Sequence, residues 1–229
     1  MKTAAPGREA PYAATLLMIP QGTISAPDHV QLSPILDLLN VRYVVFRGTP
    51  PPDIHPQFQS VDYWILVNSN ALPRVFVPAS VQTAPPGREL LEKLNSAQFD
   101  PAAVAYVESA INLPSVCRGT AEIMDAIPTR ITVSVHLKTP GLIVLADNWD
   151  PGWRARWNGQ AVPVLRVDYA IRGVVLPAGT GTLELVYRPA SLSLGLWLAG
   201  GAVLVLLTGL VALRRQWMKS HGPLAVPSP

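Results

Sequence analysis

Positions 192–213 (LSLGLWLAGGAVLVLLTGLVAL), 22 residues near the C-terminus, form an apolar run without a charged residue. As a helix rising ~1.5 Å per residue it reaches about 33 Å, and a bilayer's hydrocarbon core is about 30 Å thick. Buried helices of soluble cores rarely run so long without one charge, so the stretch predicts a transmembrane helix. Its polar residues, Ser193 and Thr208, bond back to helix carbonyls at little cost in lipid. Upstream the periodicity drops from helical to two. Over 129–137, Ile131, Val133, Val135 and Leu137 alternate with Arg130, Thr132, Ser134 and His136, the mark of a half-buried antiparallel strand. The unbroken apolar run 141–146 predicts a central strand. Trp153, Ala155 and Trp157 alternate with Arg154 and Arg156, and Asn158-Gly159 supplies a type I′ turn into a strand over 162–167. A further hairpin joins 171–176 to 182–187.

The first half is less regular. Ser33 as N-cap and Pro34 at the first helical position predict a short helix, with Ile35, Leu36, Leu38 and Leu39 inward and Asn40 at its end. Strands follow over 41–46, 61–67 and 74–77, and 87–94 reads as an amphipathic helix with Glu89 and Glu92 solvated. Residues 1–30 carry four prolines and no sustained period. The 24 prolines in 229 residues, about twice the usual ~5% share, argue against a mostly helical chain. The fold class expected is α+β, mainly β: an antiparallel β-sandwich-like domain outside the cytoplasm, then one C-terminal transmembrane helix. The domains expected are an irregular segment 1–30, a small α/β region 31–103, the sandwich-like domain 104–190, the span 191–214 and a tail 215–229.

Charge sets the expected orientation. Arg214, Arg215 and Lys219 crowd the C-terminal flank of the span, whereas Arg188 stands alone near the other. Excess Lys and Arg marks the cytoplasmic side, so the tail is inside and the large domain outside, at the cell membrane. The apolar stretch 13–19 is too short and too poorly flanked for a signal peptide, and earlier membrane spans of the same parent protein are expected to carry the domain across. The bilayer and those spans are the expected partners. A net charge of +3 without a basic cluster excludes nucleic acid as a partner. One cysteine, Cys117, builds neither a disulfide framework nor a thiolate zinc site. His29, His55, His136 and His221 lie far apart, so no metal and no cofactor is expected. Phosphate loops, nucleophile elbows and dinucleotide fingerprints do not occur.

The densest polar and aromatic cluster is Asp147-Asn148-Trp149-Asp150-Pro151-Gly152-Trp153. One reading makes it a glycan contact, with Trp149 stacking on a sugar ring and Asp147 and Asp150 accepting hydroxyl protons. Acid–base catalysis or calcium binding by the two carboxylates is a further reading. The other is structural: Pro151-Gly152 make the turn, an aspartate caps it, and the tryptophans fill the core. Trp153 begins the alternating strand and is expected inside, whereas nothing in the pattern dictates burial of Trp149.

Five phrases in order resemble one family. They are ILDLLNVRYVV (35–45), NALPRVFV (70–77), VLADNWDPGWRARWNGQ (144–160), IRGVVLPAG (171–179) and LVYRPASLSLG (185–195). Together they resemble the C-terminal end of the YfhO-type bacterial membrane proteins. These are multi-span proteins akin to membrane glycosyltransferases of the GT-C architecture, which use lipid-linked sugars. The resemblance covers residues 31–214 and implies a supporting role in sugar transfer to envelope glycopolymers. It carries over architecture only: Trp149, Pro151, Gly152, Trp153 and Gly159 fall on the family's turn and hairpin. The family's catalytic acid lies in an early loop beyond this chain, so no catalytic residue is expected here. The alternative is a stand-alone membrane-anchored protein that binds glycan or assembles the envelope.

Overall fold

In the computed structural model the described residues are 32–220, together with the strands Ile24–Ala26 and His29–Val30, which pair with each other. The expectations for residues 1–30 and for the tail beyond 220 otherwise lie outside the described residues. The chain divides between Tyr187 and Arg188 into two compact units.

The first unit is α+β and mainly antiparallel strand. One sheet has five strands in the order Gln160–Val162, Trp153–Trp157, Gly179–Tyr187, Arg130–Leu137 and Gly119–Ile127. The other has six, in the order Val75–Phe76, Gly141–Asn148, Ile171–Leu176, Leu165–Val167, Val104–Val107 and Ser80–Thr83. Its last pair alone is parallel. Strands from before and after residue 104 thus share this one sheet. Along Arg130–Leu137 the apolar positions Ile131, Val133, Val135 and Leu137 are all buried, and the polar ones between them are not. They meet Ile143, Leu145, Val174 and Leu176 of the six-stranded sheet in one apolar cluster, the interior of a sandwich.

The six-stranded sheet is covered on its other face as well. Leu142, Val144 and Ile171 pack with Ile35 and Leu38 of the helix Pro34–Leu38 and with Leu90 and Leu94 of the helix Arg88–Leu94. Burial on both faces is why residues 141–146 read as an unbroken apolar run, for each parity of the strand has a hydrophobic partner. The first helix is capped as its sequence dictates. Ser33 Oγ accepts from Ile35 N–H, Pro34 opens the helix, and Asn40 takes the left-handed backbone that ends it, at φ 57°. A separate three-stranded sheet, Tyr43–Arg47, Tyr63–Val67 and Phe58–Gln59, turns Trp64 inward.

Two elements differ from expectation. Ile171–Leu176 and Gly179–Tyr187 form no hairpin: the first lies in the six-stranded sheet and the second in the five-stranded one, so the chain changes layer over Pro177 and Ala178. The segment 162–167 is not continuous: Gln160–Val162 pairs in the five-stranded sheet and Leu165–Val167 in the six-stranded one. The break falls at Pro163, which has no N–H for a ladder. The chain therefore crosses from one layer to the other there.

The second unit is the helix Ala190–Ser220, whose stretch Ala190–Trp217 is 28 residues long and contains an 18-residue window of mean hydropathy 2.3 that is unburied. It is long and apolar enough to cross a membrane. Thr208 Oγ1 donates to the carbonyls of Leu204 and Val205, so its hydroxyl is satisfied within the helix.

Candidate functional site

The candidate loop leaves the end of the central strand Gly141–Asn148. Register against Ile171–Leu176 shifts between Leu145, opposite Arg172, and Asn148, opposite Ile171. Ala146 and Asp147 form a bulge, and a bulge re-aims the side chains it carries. Asp147 meets two arginines here. Arg74 Nε and Nη2 donate to its two oxygens, each at 3.1 Å, and Arg172 Nη2 donates to Oδ2 at 2.6 Å. Both carboxylate oxygens are thus engaged, and Asp147 acts as a brace between the Arg74 segment and the Ile171–Leu176 strand.

Arg172 is the buried member, with its side chain 4% exposed against 43% for Arg74. Burial pulls its pKa down, Asp147 pushes it back up, and the Arg74 cation lowers it again. Its guanidinium carbon lies 3.8 Å from the ring centre of Trp153, so the indole covers the cation. Arg172 Nε and Nη1 have no hydrogen-bond acceptor among the described residues, and the π face is their compensation.

Trp153 is half-buried, packs on the sandwich core and stacks obliquely on Tyr187, with ring centres 5.2 Å apart. Trp149 is also half-buried. Its backbone N–H donates to Ala170 O at 2.7 Å and its indole N–H to Val164 O at 3.3 Å. That carbonyl belongs to the crossing at Pro163, so the indole pins the loop to the sheet switch. The guanidinium of Arg166, itself paired with Glu108 at 3.4 Å, sits 4.5 Å from the Trp149 ring. Asp150 closes an Asx turn: Oδ1 accepts from Gly152 N–H at 2.6 Å, and its carbonyl accepts from Trp153 N–H. Pro151 is exposed at the corner and Gly152 is buried beneath it.

The hairpin beyond follows its sequence. Asn158 and Gly159 both have positive φ, 49° and 84°, the pair a type I′ turn demands. Asn158 Oδ1 also accepts from Thr182 N–H, tying the turn to the neighbouring strand. The flanking residues Arg214 and Arg215 lie on the C-terminal helix, exposed, and Lys219 lies in its last turn.

The structure therefore brings Asp147, Trp149, Asp150 and Trp153 to one corner and adds Arg74, Arg166 and Arg172, which sequence reasoning missed. The available signal was Arg172 itself, a lone charge inside the apolar strand IRGVVL, since a charge at a buried position demands a partner. Among the described residues no group of His, Cys, Asp and Glu is placed to hold a metal ion.

Fold and site together define an α+β unit built around a β-sandwich-like pair of sheets, followed in sequence by one helix apolar enough to span a membrane. No protein-family model matches the chain, and a search of curated proteins finds no match. Among solved structures the chain is similar to the arabinofuranosyltransferase AftD from mycobacteria, at 24% identity and a TM-score of 0.30. The match covers 52% of this chain and 8% of that one, so the chain corresponds to a small part of that protein's length.

Proposed function

We propose that this chain is the C-terminal extracytoplasmic module and last membrane span of a YfhO-like membrane protein. In this reading it supports transfer of sugars from lipid-linked donors to envelope glycopolymers, and the catalytic residues lie elsewhere in the parent protein. One observation carries the reading. The last strand of the β unit ends at Tyr187, and the apolar helix begins at Ala190. Two residues, Arg188 and Pro189, join the β unit in sequence to a helix apolar enough to cross a bilayer. The last of the five phrases that resemble the family, 185–195, runs across that joint, and the basic flank at Arg214, Arg215 and Lys219 favours a β unit outside the cytoplasm. Within the loop, Asp147 is a bracing residue, and Trp149 and Asp150 are the members with surface left to offer a sugar.

The test is removal of the segment encoding this chain in its own cell, with incorporation of radiolabelled sugar into envelope polymers as the readout. The expected outcome is a severalfold drop, restored by the intact chain and not by the β unit without its helix. Unchanged incorporation would overturn the reading.

A further inference from the structure

Away from the Asp147 loop, the β unit carries an open cleft of about 770 Å³ beside the helix Pro34–Leu38. That lies within the ~300–1,000 Å³ typical of small-molecule sites. Its polar lining comes from three places in the sequence: Asp37 on the helix, Asn68, Ser69 and Asn70 on the turn after Tyr63–Val67, and Asp100 on the loop before Val104–Val107. Asn68 is 4% exposed and spends both ends of its amide on the scaffold. Its Nδ2 donates to Asp37 Oδ1 at 2.7 Å and to Val41 O, and its Oδ1 accepts from Asn70 N–H. Asp37 is thereby held by one oxygen, with no hydrogen bond to Oδ2 among the described residues. Asp100 repeats the arrangement: Oδ1 accepts from Ala102 N–H at 2.9 Å and Oδ2 has no such bond.

We infer that this cleft binds a neutral, hydroxyl-rich ligand, of which a sugar ring is the natural class. Two fixed carboxylates each offer a spare oxygen to an O–H donor, and such charge-assisted bonds are the strong ones. Asn70 and Ser69 are exposed and can donate as well as accept, which matches hydroxyls that do both. Val67, 38% exposed, and the half-buried Leu72 supply an apolar wall for the C–H edges of a ring. No described lining residue is basic, so a phosphate or a sugar acid would meet two carboxylates without a counter-charge. A metal ion is the poorer fit, because two carboxylates fall short of the donor set a hard cation needs. The assignment stands apart from the proposed function: a saccharide cleft is as compatible with a stand-alone anchored protein as with a module of a larger one. Failure of the binding test leaves the incorporation test untouched.

The test uses the full chain in lipid nanodiscs and saturation-transfer NMR with the methyl glycosides of glucose, galactose, mannose and arabinose, and with glucose 6-phosphate. At least one neutral glycoside should bind saturably, and the phosphate should bind more weakly than methyl glucoside. Asp37→Asn and Asp100→Asn keep the Oδ1 acceptor that each fold contact uses while replacing the spare oxygen by an amide. Each should weaken binding about tenfold or more, as expected for loss of a bond to a charged group. Should either variant misfold, Ser69→Ala and Asn70→Ala at exposed positions give the same reading with a smaller loss. The inference is overturned if no glycoside saturates, if the cleft variants bind like the native chain, or if only Trp149→Ala abolishes binding, which would place the contact on the loop.

Discussion

Arg172 is a cation held out of water by neighbours that compensate it only in part. Asp147 satisfies one of its nitrogens and Trp153 covers its face, while two N–H groups go without an acceptor. Removing the partner of a buried charge is costlier than removing the pair, because an uncompensated ion remains behind. Asp147→Ala is therefore expected to destabilise the β unit by about 3–5 kcal/mol. Arg172→Met keeps the volume, leaves Asp147 to the half-exposed Arg74, and should cost far less. Urea unfolding of the two variants in detergent separates these cases, and equal losses would mean the pair itself carries the stability. A second buried titratable group behaves differently. Asp168 is 1% exposed, sits at φ 45°, and accepts from Tyr106 N–H at 2.7 Å through one oxygen, with the other unpartnered. Burial raises its pKa to about 7, against a smaller lowering by the Tyr106 bond. The folded state then holds a proton that the unfolded state has released, so stability falls as pH rises from about 4 to about 7 and is level above that. The loss is on the order of 4 kcal/mol for a shift of that size. Asp168→Asn keeps the acceptor for Tyr106 N–H and tolerates the left-handed backbone. It should flatten this part of the pH profile and be the more stable protein at pH 8. A slope that survives in Asp168→Asn would assign the titration to another group.

At the scale of elements, what the sequence shows depends on how far away the cause lies. The strand Arg130–Leu137 is legible because its own alternation records one wet and one dry face, and the Asn158–Gly159 turn because its two residues are the ones that accept positive φ. The sheet switch at Pro163 is harder to see. Its flanks, Gln160–Val162 and Leu165–Val167, are both good strand sequence, and which sheet each joins is decided by partners elsewhere. The bracing of Asp147 is more remote still, since its arginines stand 73 and 25 residues away and no local pattern links them. The two tryptophans show the same division. Alternation places Trp153 toward the interior, where it also covers Arg172, and nothing in the spacing announces the bond from Trp149 to the crossing strand. Trp153→Ala is accordingly expected to lose about 3 kcal/mol, the low end for a truncated aromatic because the ring is only half-buried. Trp149→Ala should lose about 1–2 kcal/mol, from one hydrogen bond and a stacked cation. Thermal unfolding of both gives the order directly, and a larger loss at Trp149 would make the crossing, not the sandwich face, the weaker point of the fold.

For the whole molecule, the proposed orientation rests on few charges and can be reversed with few. Three basic residues, Arg214, Arg215 and Lys219, flank one end of the apolar helix, and Arg188 flanks the other. Acidic residues contribute little to this bias, so neutral replacements test it without adding a new signal. Cys117 is buried, and burial raises its thiol pKa, so it is a poor target for maleimide and leaves engineered cysteines to report alone. Val61, 93% exposed, serves as the reporter on the β unit, and Ser228 as the reporter on the tail. In intact cells a membrane-impermeant maleimide should label Val61→Cys at once, and Ser228→Cys only after permeabilisation. Replacing Arg214, Arg215 and Lys219 by Gln leaves Arg188 as the nearest basic residue to the span. The flank bias then points the other way, and the Ser228→Cys reporter should become labelled from outside in a substantial fraction of molecules. Labelling of the tail in the unaltered chain would invert the topology, put the saccharide cleft on the cytoplasmic side, and remove the reason for linking this β unit to envelope polymers.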